Sequence, residues 1–200
     1  MHNIKPYVMR QTILTLCLCI FALHVLNAQV EIKPTIGINF TDFSKDPQGG
    51  DSKAKLGYQV GGSIAFGKKL YFEPGIYFLR QSTEYTSANS NQPDVDFKIS
   101  GLRIPMAVGY KLMGDENSEF GLRAFGGASA FILTHVKDLD KEDFKSASFG
   151  AFLGGGLDIS FVFIELQYQW SLTKVQDDVS QIDVGNSRTL FVNAGVRLRL

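Results

Sequence analysis

The chain of 200 residues balances 20 basic against 20 acidic residues and is 44% hydrophobic. This composition supplies enough apolar mass for one folded domain, which excludes a disordered chain and a small disulfide-stapled protein. A formal charge of zero, without any Lys/Arg-rich run, argues against a nucleic-acid partner. The 20 glycines and 16 phenylalanines, beside a single tryptophan, favour a β protein.

The first 28 residues have the character of a signal peptide. Lys5 and Arg10 precede an apolar stretch that is shorter than the roughly 20 residues of a spanning helix. We therefore expect cleavage after Ala28 and a mature domain over residues 29–200. Both cysteines lie in the removed segment, so the mature chain is cysteine-free and carries 18 basic and 20 acidic residues.

The mature chain alternates between apolar and polar residues with a period of two, which is the pattern of β-strands. In the last segment the even positions of 190–200 are apolar, whereas the odd positions are polar or small apart from Phe191. The fifth segment is less regular, because Phe125 and Phe131 fall on its polar face. Eight segments follow one another with no amphipathic helix between them, at residues 32–41, 56–66, 70–78, 102–111, 120–133, 147–159, 161–173 and 189–200.

The links between these strands alternate in length. Short links follow the second, fourth and sixth strands, at residues 67–69, 113–118 and Ser160, and long polar links follow the other strands, at 44–54, 82–96, 135–145 and 174–188. An even number of antiparallel strands with all short turns on one side is the layout of outer-membrane barrels. We therefore predict an all-β fold, an eight-stranded antiparallel up-and-down transmembrane β-barrel of the outer-membrane type.

The composition of the polar face indicates whether that face lines the lumen or lies on the outside of the barrel. This face is mostly Gly, Ser, Thr, Gln, Asn and Ala with scattered charges, which suits the crowded interior of an eight-stranded membrane barrel. A soluble lipocalin-like barrel, the alternative, would turn this face to water and cover it with Lys and Glu. The charged residues assigned to the lumen include both signs: Glu31, Lys33, Glu73, Arg103, Lys111, Arg123, Asp158, Glu165, Arg197 and Arg199.

Opposite charges in such a lumen are expected to pair, because an unpaired charge away from bulk water is costly. The side-chain phase assigns Glu165 and Arg197 to inward faces of the last two strands, and closure brings Arg199 beside Glu31. We expect these four residues to form one network. Mixed signs favour a filled lumen with low conductance, whereas a single sign is typical of a conducting pore.

Aromatic residues on the apolar face are predicted to form girdles at the two membrane interfaces. Trp170 lies about nine residues into its strand, which corresponds to roughly 23 Å of height and the far edge of the apolar band. The other members are Tyr168, Phe40 and Phe78 on the loop side, and Phe66, Tyr110 and Phe120 on the turn side. Simple cross-strand pairing is the alternative explanation, and it predicts no banding.

Several short motifs occur in an order that resembles a known family. They are IGINF at 36–40, GYQVG at 57–61, LYFEP at 70–74 followed by Tyr77, LRIP at 102–105 and GGG at 154–156. In this order they resemble the outer-membrane β-barrel domain of PorT-like proteins from Bacteroidetes, over nearly the whole mature chain. The resemblance implies an eight-stranded barrel in the outer membrane, and PorT itself is associated with a secretion machinery. The chain departs from the usual barrel end, because it finishes on Leu200 and not on an aromatic residue.

Catalytic and metal-binding chemistry finds little support. A hydrolase of the outer membrane needs an imidazole base, and His135 is the one histidine of the mature chain. Ser129 precedes it by six residues, roughly 20 Å along a strand, so the two cannot touch. Four carboxylates within 138–143 lack the glycine of a calcium loop and are offset by neighbouring lysines. We predict no enzymatic activity, no metal site and no cofactor.

The sequence thus predicts a small outer-membrane protein with a structural or binding role and a side-chain-filled lumen. Its expected partners are outer-membrane lipid, the barrel-assembly machinery during biogenesis, and a surface ligand or secretion partner recognised by the long loops. An accessory role in a secretion machinery, a narrow porin and a soluble lipocalin-like ligand binder are the alternatives, in that order.

Overall fold

The computed structural model describes residues 29–43, 50–87, 95–114, 118–136, 147–173 and 187–200. Their regular structure consists of strands: β1 Val30–Phe43, β2 Gly50–Gly67, β3 Leu70–Ser87, β4 Val95–Met113, β5 Phe120–Val136, β6 Ala147–Ile159, β7 Val162–Ser171, β8 Ser187–Val196 and β9 Leu198–Arg199. Within these ranges there is no helix long and apolar enough to span a membrane. The expected signal peptide, residues 1–28, lies outside the described residues.

The strands form one antiparallel sheet that closes on itself. Neighbours in chain order pair with each other, and β1 pairs with both β2 and β8. At the start of β1, Val30 stands opposite Phe66 of β2. The two-residue β9 continues β8 after one irregular residue, Arg197, and pairs Arg199 with Glu31 of β1. The described strands make a closed eight-stranded barrel, which confirms the predicted all-β fold.

Backbone hydrogen bonds join the short turns and the C-terminus into a ring at one end of the barrel. Five N–H groups donate across neighbouring connections over 2.5–3.0 Å: Gly67 to Gln29, Lys111 to Lys69, Ser160 to Glu119, Arg197 to Phe161 and Leu200 to Val30. Gly67 and Gly114 have φ angles of 128° and 83°, which glycine adopts without strain. Both ends of the described chain therefore lie on the side of the short turns.

The strands on one side of the barrel run further toward the long links than the sequence pattern predicts. β2 begins at Gly50, β3 continues to Ser87 and β4 begins at Val95, all inside segments predicted as loops. The extensions pair with one another, since Gly50 stands opposite Ser87 and Tyr85 opposite Val95. β5 likewise includes His135, the first residue of the predicted link 135–145. Backbone pairing needs no apolar alternation, so polar sequence concealed these strand ends.

Successive side chains point alternately into the barrel and away from it. In β1, Ile36 is 66% exposed on the outside, whereas Lys33 is 1% and Thr35 3% exposed on the inside. The same alternation holds around the barrel, and its outward positions present large apolar side chains at high exposure. Such a continuous apolar surface is unusual on a soluble monomer and matches the lipid-facing band of a membrane barrel.

Large side chains in the lumen lie against glycines of the neighbouring strand. Three such pairs face each other directly: Tyr71 and Gly109, Phe125 and Gly154, and Phe163 and Gly195. A Cβ atom added at any of these glycines would come within 2.1–2.7 Å of the facing ring. The rings therefore occupy space that only glycine leaves open, which accounts for part of the high glycine and phenylalanine content.

The glycine–ring packing predicts different effects for two adjacent substitutions. Gly154→Ala should destabilise the barrel by roughly 1–3 kcal/mol, because the new methyl would lie 2.6 Å from the Phe125 ring and from the Leu166 carbonyl oxygen. Gly155→Ala is the matched control, since its nearest contact is the Arg123 carbonyl oxygen at 3.6 Å. Urea titration measures the stability of both variants. The folded fraction at each urea concentration is read from the heat-dependent shift of the folded band on SDS gels. Equal stability of the two variants would contradict this packing.

The arrangement of links predicts the orientation in the outer membrane. A peptide tag inserted between Asn89 and Ser90, in a long link, should be labelled on intact cells. A tag between Asp115 and Glu116, in a short link, should be labelled only after the outer membrane is opened, because short turns of such barrels face the periplasm. Labelling of the second tag on intact cells would reverse the orientation.

Candidate functional site in the barrel lumen

The lumen collects nearly all the charged side chains that the sequence analysis assigned to it. Seven of the ten are almost completely buried: Glu31, Lys33, Arg103, Arg123, Asp158, Glu165 and Arg197, each at most 6% exposed. The side chains of Glu73 and Lys111 are each 11% exposed, and that of Arg199, at the turn-side rim, is 30% exposed. These groups are therefore withdrawn from bulk water and depend on protein partners.

Five of these residues, Lys33, Glu73, Arg123, Asp158 and Glu165, form a central cluster. Lys33 Nζ lies 2.7 Å from Glu73 Oε1 and 2.8 Å from Glu165 Oε1. Arg123 donates from Nε to Asp158 Oδ1 over 3.0 Å, and its Nη2 lies 2.7 Å from Glu165 Oε1. A longer contact of 3.8 Å joins Arg123 to Glu73. Each cation thus touches at least two carboxylates, so the charges are satisfied as a group.

A second set of ion pairs lies nearer the turns. Arg197 Nη1 donates to Asp158 Oδ2 over 2.9 Å, which connects this set to the central cluster. Lys111 Nζ donates to Glu31 Oε1 over 3.0 Å, and Arg199 Nε lies 3.5 Å from the same oxygen. Two cations from different strands therefore share the Glu31 carboxylate. One of them, Arg199, lies where β9 pairs with β1 to close the barrel.

Arg199 lies beside Glu31 as predicted, with 3.5 Å between Nε and Oε1, but the predicted direct pairing of Glu165 with Arg197 is wrong. Glu165 stands opposite Asn193 in β8, so Arg197 lies further along toward the turns. Its side chain reaches Asp158 instead, while Glu165 pairs with Lys33 and Arg123 across the lumen. The error arose because phase along a strand gives the face but not the height, which the register and tilt of the closed barrel fix.

Aromatic rings inside the lumen were not anticipated as partners of these cations. Lys33 Nζ lies 4.6 Å from the centroid of the Phe163 ring, and the Arg123 guanidinium lies 5.2 Å from the same centroid. Arg123 also lies 5.9 Å from the Phe125 ring. A desolvated cation is stabilised by a nearby ring face. These lumen rings could have been recognised in the sequence as aromatic residues at inward positions that face a glycine of the next strand, as Phe125 faces Gly154.

Toward the long links, the described side chains that bond one another across the lumen are neutral and polar. Gln81 Nε2 donates to Thr41 Oγ1 over 2.8 Å, and the hydroxyls of Thr41 and Thr189 share a hydrogen bond of 3.1 Å. Below them Gln59 Nε2 donates to Asn193 Oδ1 over 2.6 Å. The described part of the lumen thus has two halves, one of amides and hydroxyls toward the loops and one of ion pairs toward the turns.

The seven aromatic residues predicted to lie at the membrane interfaces all occupy outward positions. Phe40, Phe78, Tyr110 and Trp170 are 38–44% exposed, and Phe120 is 52% exposed; Phe66 and Tyr168 are partly covered. On the loop side the Tyr168 and Trp170 rings meet edge to face, with centroids 4.8 Å apart. Phe40 of β1 and Tyr168 of β7 both stand opposite Leu190 of β8, from its two neighbouring strands. Their role at the interface stays a prediction.

The candidates for catalysis and metal binding are not assembled into a site within the described residues. Ser129 is buried in the lumen, where its hydroxyl donates to Gln169 Oε1 over 3.0 Å. The backbone of His135 pairs opposite Ser100 near the end of β5. Among the described residues no group of three or more His, Cys, Asp or Glu could hold a metal ion. The acidic segment 138–143 lies outside those residues.

Comparison with solved structures shows the same architecture in other outer-membrane proteins. The chain is similar to OprG from Pseudomonas aeruginosa, with 13% identity, a TM-score of 0.52, and coverage of 85% of this chain and 94% of that one. Its similarity to Neisserial surface protein A has 14% identity, a TM-score of 0.50, and coverage of 84% and 97%. At these identities the likeness shows the fold alone. No functionally curated protein matches the chain in sequence.

The sequence itself provides the assignment to a family. Residues 27–177 match the family described as outer membrane protein beta-barrel domain. This match covers most of the chain, and it agrees with the closed eight-stranded sheet and the apolar outer face. The chain therefore belongs to the outer membrane protein β-barrel domain family and is a small β-barrel protein of the outer membrane.

Proposed function

We propose that this protein is a structural or binding barrel whose lumen is a packed core and not a pore. The observation that carries the proposal is that the central cluster extends across the whole width of the lumen. Lys33 comes from β1, Glu73 from β3, Arg123 from β5 and Glu165 from β7, which are strands on four sides of the barrel. Their contacts of 2.7–3.8 Å close the cross-section at that height.

Two small cavities among the described residues of the lumen support this proposal. One cavity lies on the loop side of the cluster and leaves about 20 Å³ for the centre of a water molecule; a second, on the turn side, leaves about 10 Å³. Each is large enough for about one water. Glu73 and Arg123 line the turn-side cavity, and Glu73 also lines the other. A continuous water path would have to break the ion pairs between them, which disfavours the narrow-porin alternative.

A packed lumen leaves the loop side as the place for recognition of a surface ligand. Strands β2 to β5 contain 17–19 residues each, whereas β7 and β8 contain 10 each. The longer strands therefore extend one side of the barrel wall further toward the loops and carry the links 88–94 and 137–146 at their ends.

Location in the outer membrane excludes the soluble lipocalin-like alternative.

A narrower proposal is an accessory role in a secretion machinery. It is supported by the motif order that resembles PorT-like barrels, from IGINF at 36–40 to GGG at 154–156. Deletion of the gene should then remove specific proteins from the culture medium while the outer membrane stays intact. An unchanged set of secreted proteins would contradict this role and leave the structural or binding role standing.

The packed lumen predicts very low conductance. Purified protein inserted into planar bilayers should show no stable ohmic channel, because the central cluster interrupts every water path. Insertion is verified on the same sample by resistance of the folded band to SDS. A large and stable conductance from verified barrels would show that the lumen is a solvated channel.

The central cluster also predicts that substitutions at two adjacent positions of β7 differ in how strongly they destabilise the barrel. Glu165→Leu should destabilise the barrel by roughly 3–5 kcal/mol, because Lys33 and Arg123 lose a shared carboxylate in a dry lumen. The control Leu166→Ala should cost less, below about 2 kcal/mol, since Leu166 is 55% exposed on the lipid-facing side. Urea titration in detergent micelles measures both. A Glu165→Leu variant as stable as the wild type would refute a packed, charge-paired core.

A further inference from the structure

Arg103 differs from the other cations of the lumen. It is 1% exposed, and no carboxylate of the described residues lies within ion-pair distance of it. Its Nε donates to Gln169 Oε1 over 3.0 Å, and its guanidinium lies 5.4 Å from the Phe152 ring and 4.5 Å from the Phe191 ring. The rings stabilise the charge but accept no strong hydrogen bond, so Arg103 Nη2, which has no protein acceptor, needs another one.

Two buried donors without a protein acceptor belong to residues that line the same cavity. They are Arg103 Nη2 and Gln167 Nε2, and both residues line the loop-side cavity above the central cluster. An unsatisfied buried donor costs roughly 1–3 kcal/mol, and more if it is charged. The cavity leaves about 20 Å³ for the centre of a water molecule, which is enough for one.

The lining also distinguishes water from an anion. Glu73 and Glu165 border this cavity, and their negative charges would repel a halide or another anion. Both short contacts of Glu165 are made by its Oε1, so its Oε2 is available to accept a hydrogen from water. A water molecule offers two lone pairs for the two donors and two hydrogens for carboxylate oxygens, and thus satisfies both sides of the cavity.

We propose that this cavity is a structural water site, in which one ordered water accepts from Arg103 and Gln167 and donates to Glu165. The water makes Arg103 the loop-side end of the central cluster through a solvent-bridged ion pair. It therefore connects the ion-paired half of the lumen to the amide and hydroxyl half. Such bridges are nearly as favourable as direct hydrogen bonds when the water has several polar partners.

A crystal structure of the wild-type protein, taken with and without a bromide soak, tests the site directly. We expect a density peak within hydrogen-bond distance, about 2.7–3.2 Å, of Arg103 Nη2 and Gln167 Nε2, with no anomalous bromide signal. An empty cavity at a resolution that shows ordered water elsewhere in the lumen would overturn the proposal. So would a bromide peak at that position, since it would identify an anion site.

A double-mutant cycle tests whether the two donors act through one shared partner. Arg103→Met and Gln167→Leu should be non-additive by about fivefold or more in the unfolding equilibrium constant, because loss of either donor already weakens the binding of the water. The matched control combines Arg103→Met with Thr35→Val. Thr35 is a buried lumen residue that donates to the Lys33 carbonyl oxygen and does not line the cavity. Additivity in the first cycle, equal to that of the control, would overturn the shared water.

Discussion

The narrow lumen of a closed eight-stranded sheet excludes bulk water, and the rest of the structure depends on this constraint. A carboxylate or guanidinium inside it loses its hydration and needs a partner from another strand. Each of the four acidic residues in the described part of the lumen accordingly has a cation within 3.0 Å: Glu31 has Lys111, Glu73 and Glu165 have Lys33, and Asp158 has Arg123 and Arg197. The same constraint places rings against glycines, because little other volume remains for large side chains.

The charge cluster has more influence on the register of the barrel than on its total stability. Buried ion pairs contribute little net stability, because desolvation offsets most of their attraction. A slip of one residue in any strand, however, would turn its inward charge toward lipid. Lys33, Arg123 and Glu165 stand on three different strands and contact one another directly or through one shared carboxylate, so a shift of any of these strands breaks the cluster. The cluster therefore selects one pairing of strands from several with similar backbone hydrogen bonding.

The two ends of the barrel differ in the interactions that hold them together. Ion pairs and the ring of backbone hydrogen bonds close the turn side, whereas the described side chains nearer the loops form neutral hydrogen bonds such as that between Thr41 and Thr189. The apolar outer face is committed to lipid. The long links are thus the surfaces that sequence can change with the least effect on folding, as expected for the part of a barrel that meets a ligand or partner.

The fold class, the number of strands and the inward face of the ten lumen charges all follow from periodicity along the sequence. A strand has a period of two, so the pattern around Lys33, Glu165 and Arg197 separates inside from outside without knowledge of any partner. Which of these charges meet depends on the folded barrel. Register and tilt bring Glu165 to Lys33 and Arg123, and bring Arg197 to Asp158. Closure also decided the ends of β2 to β5, whose polar residues pair through the backbone, and the place of Arg103 between two rings. These outcomes depend on heights and distances between strands, which no periodicity along one strand contains.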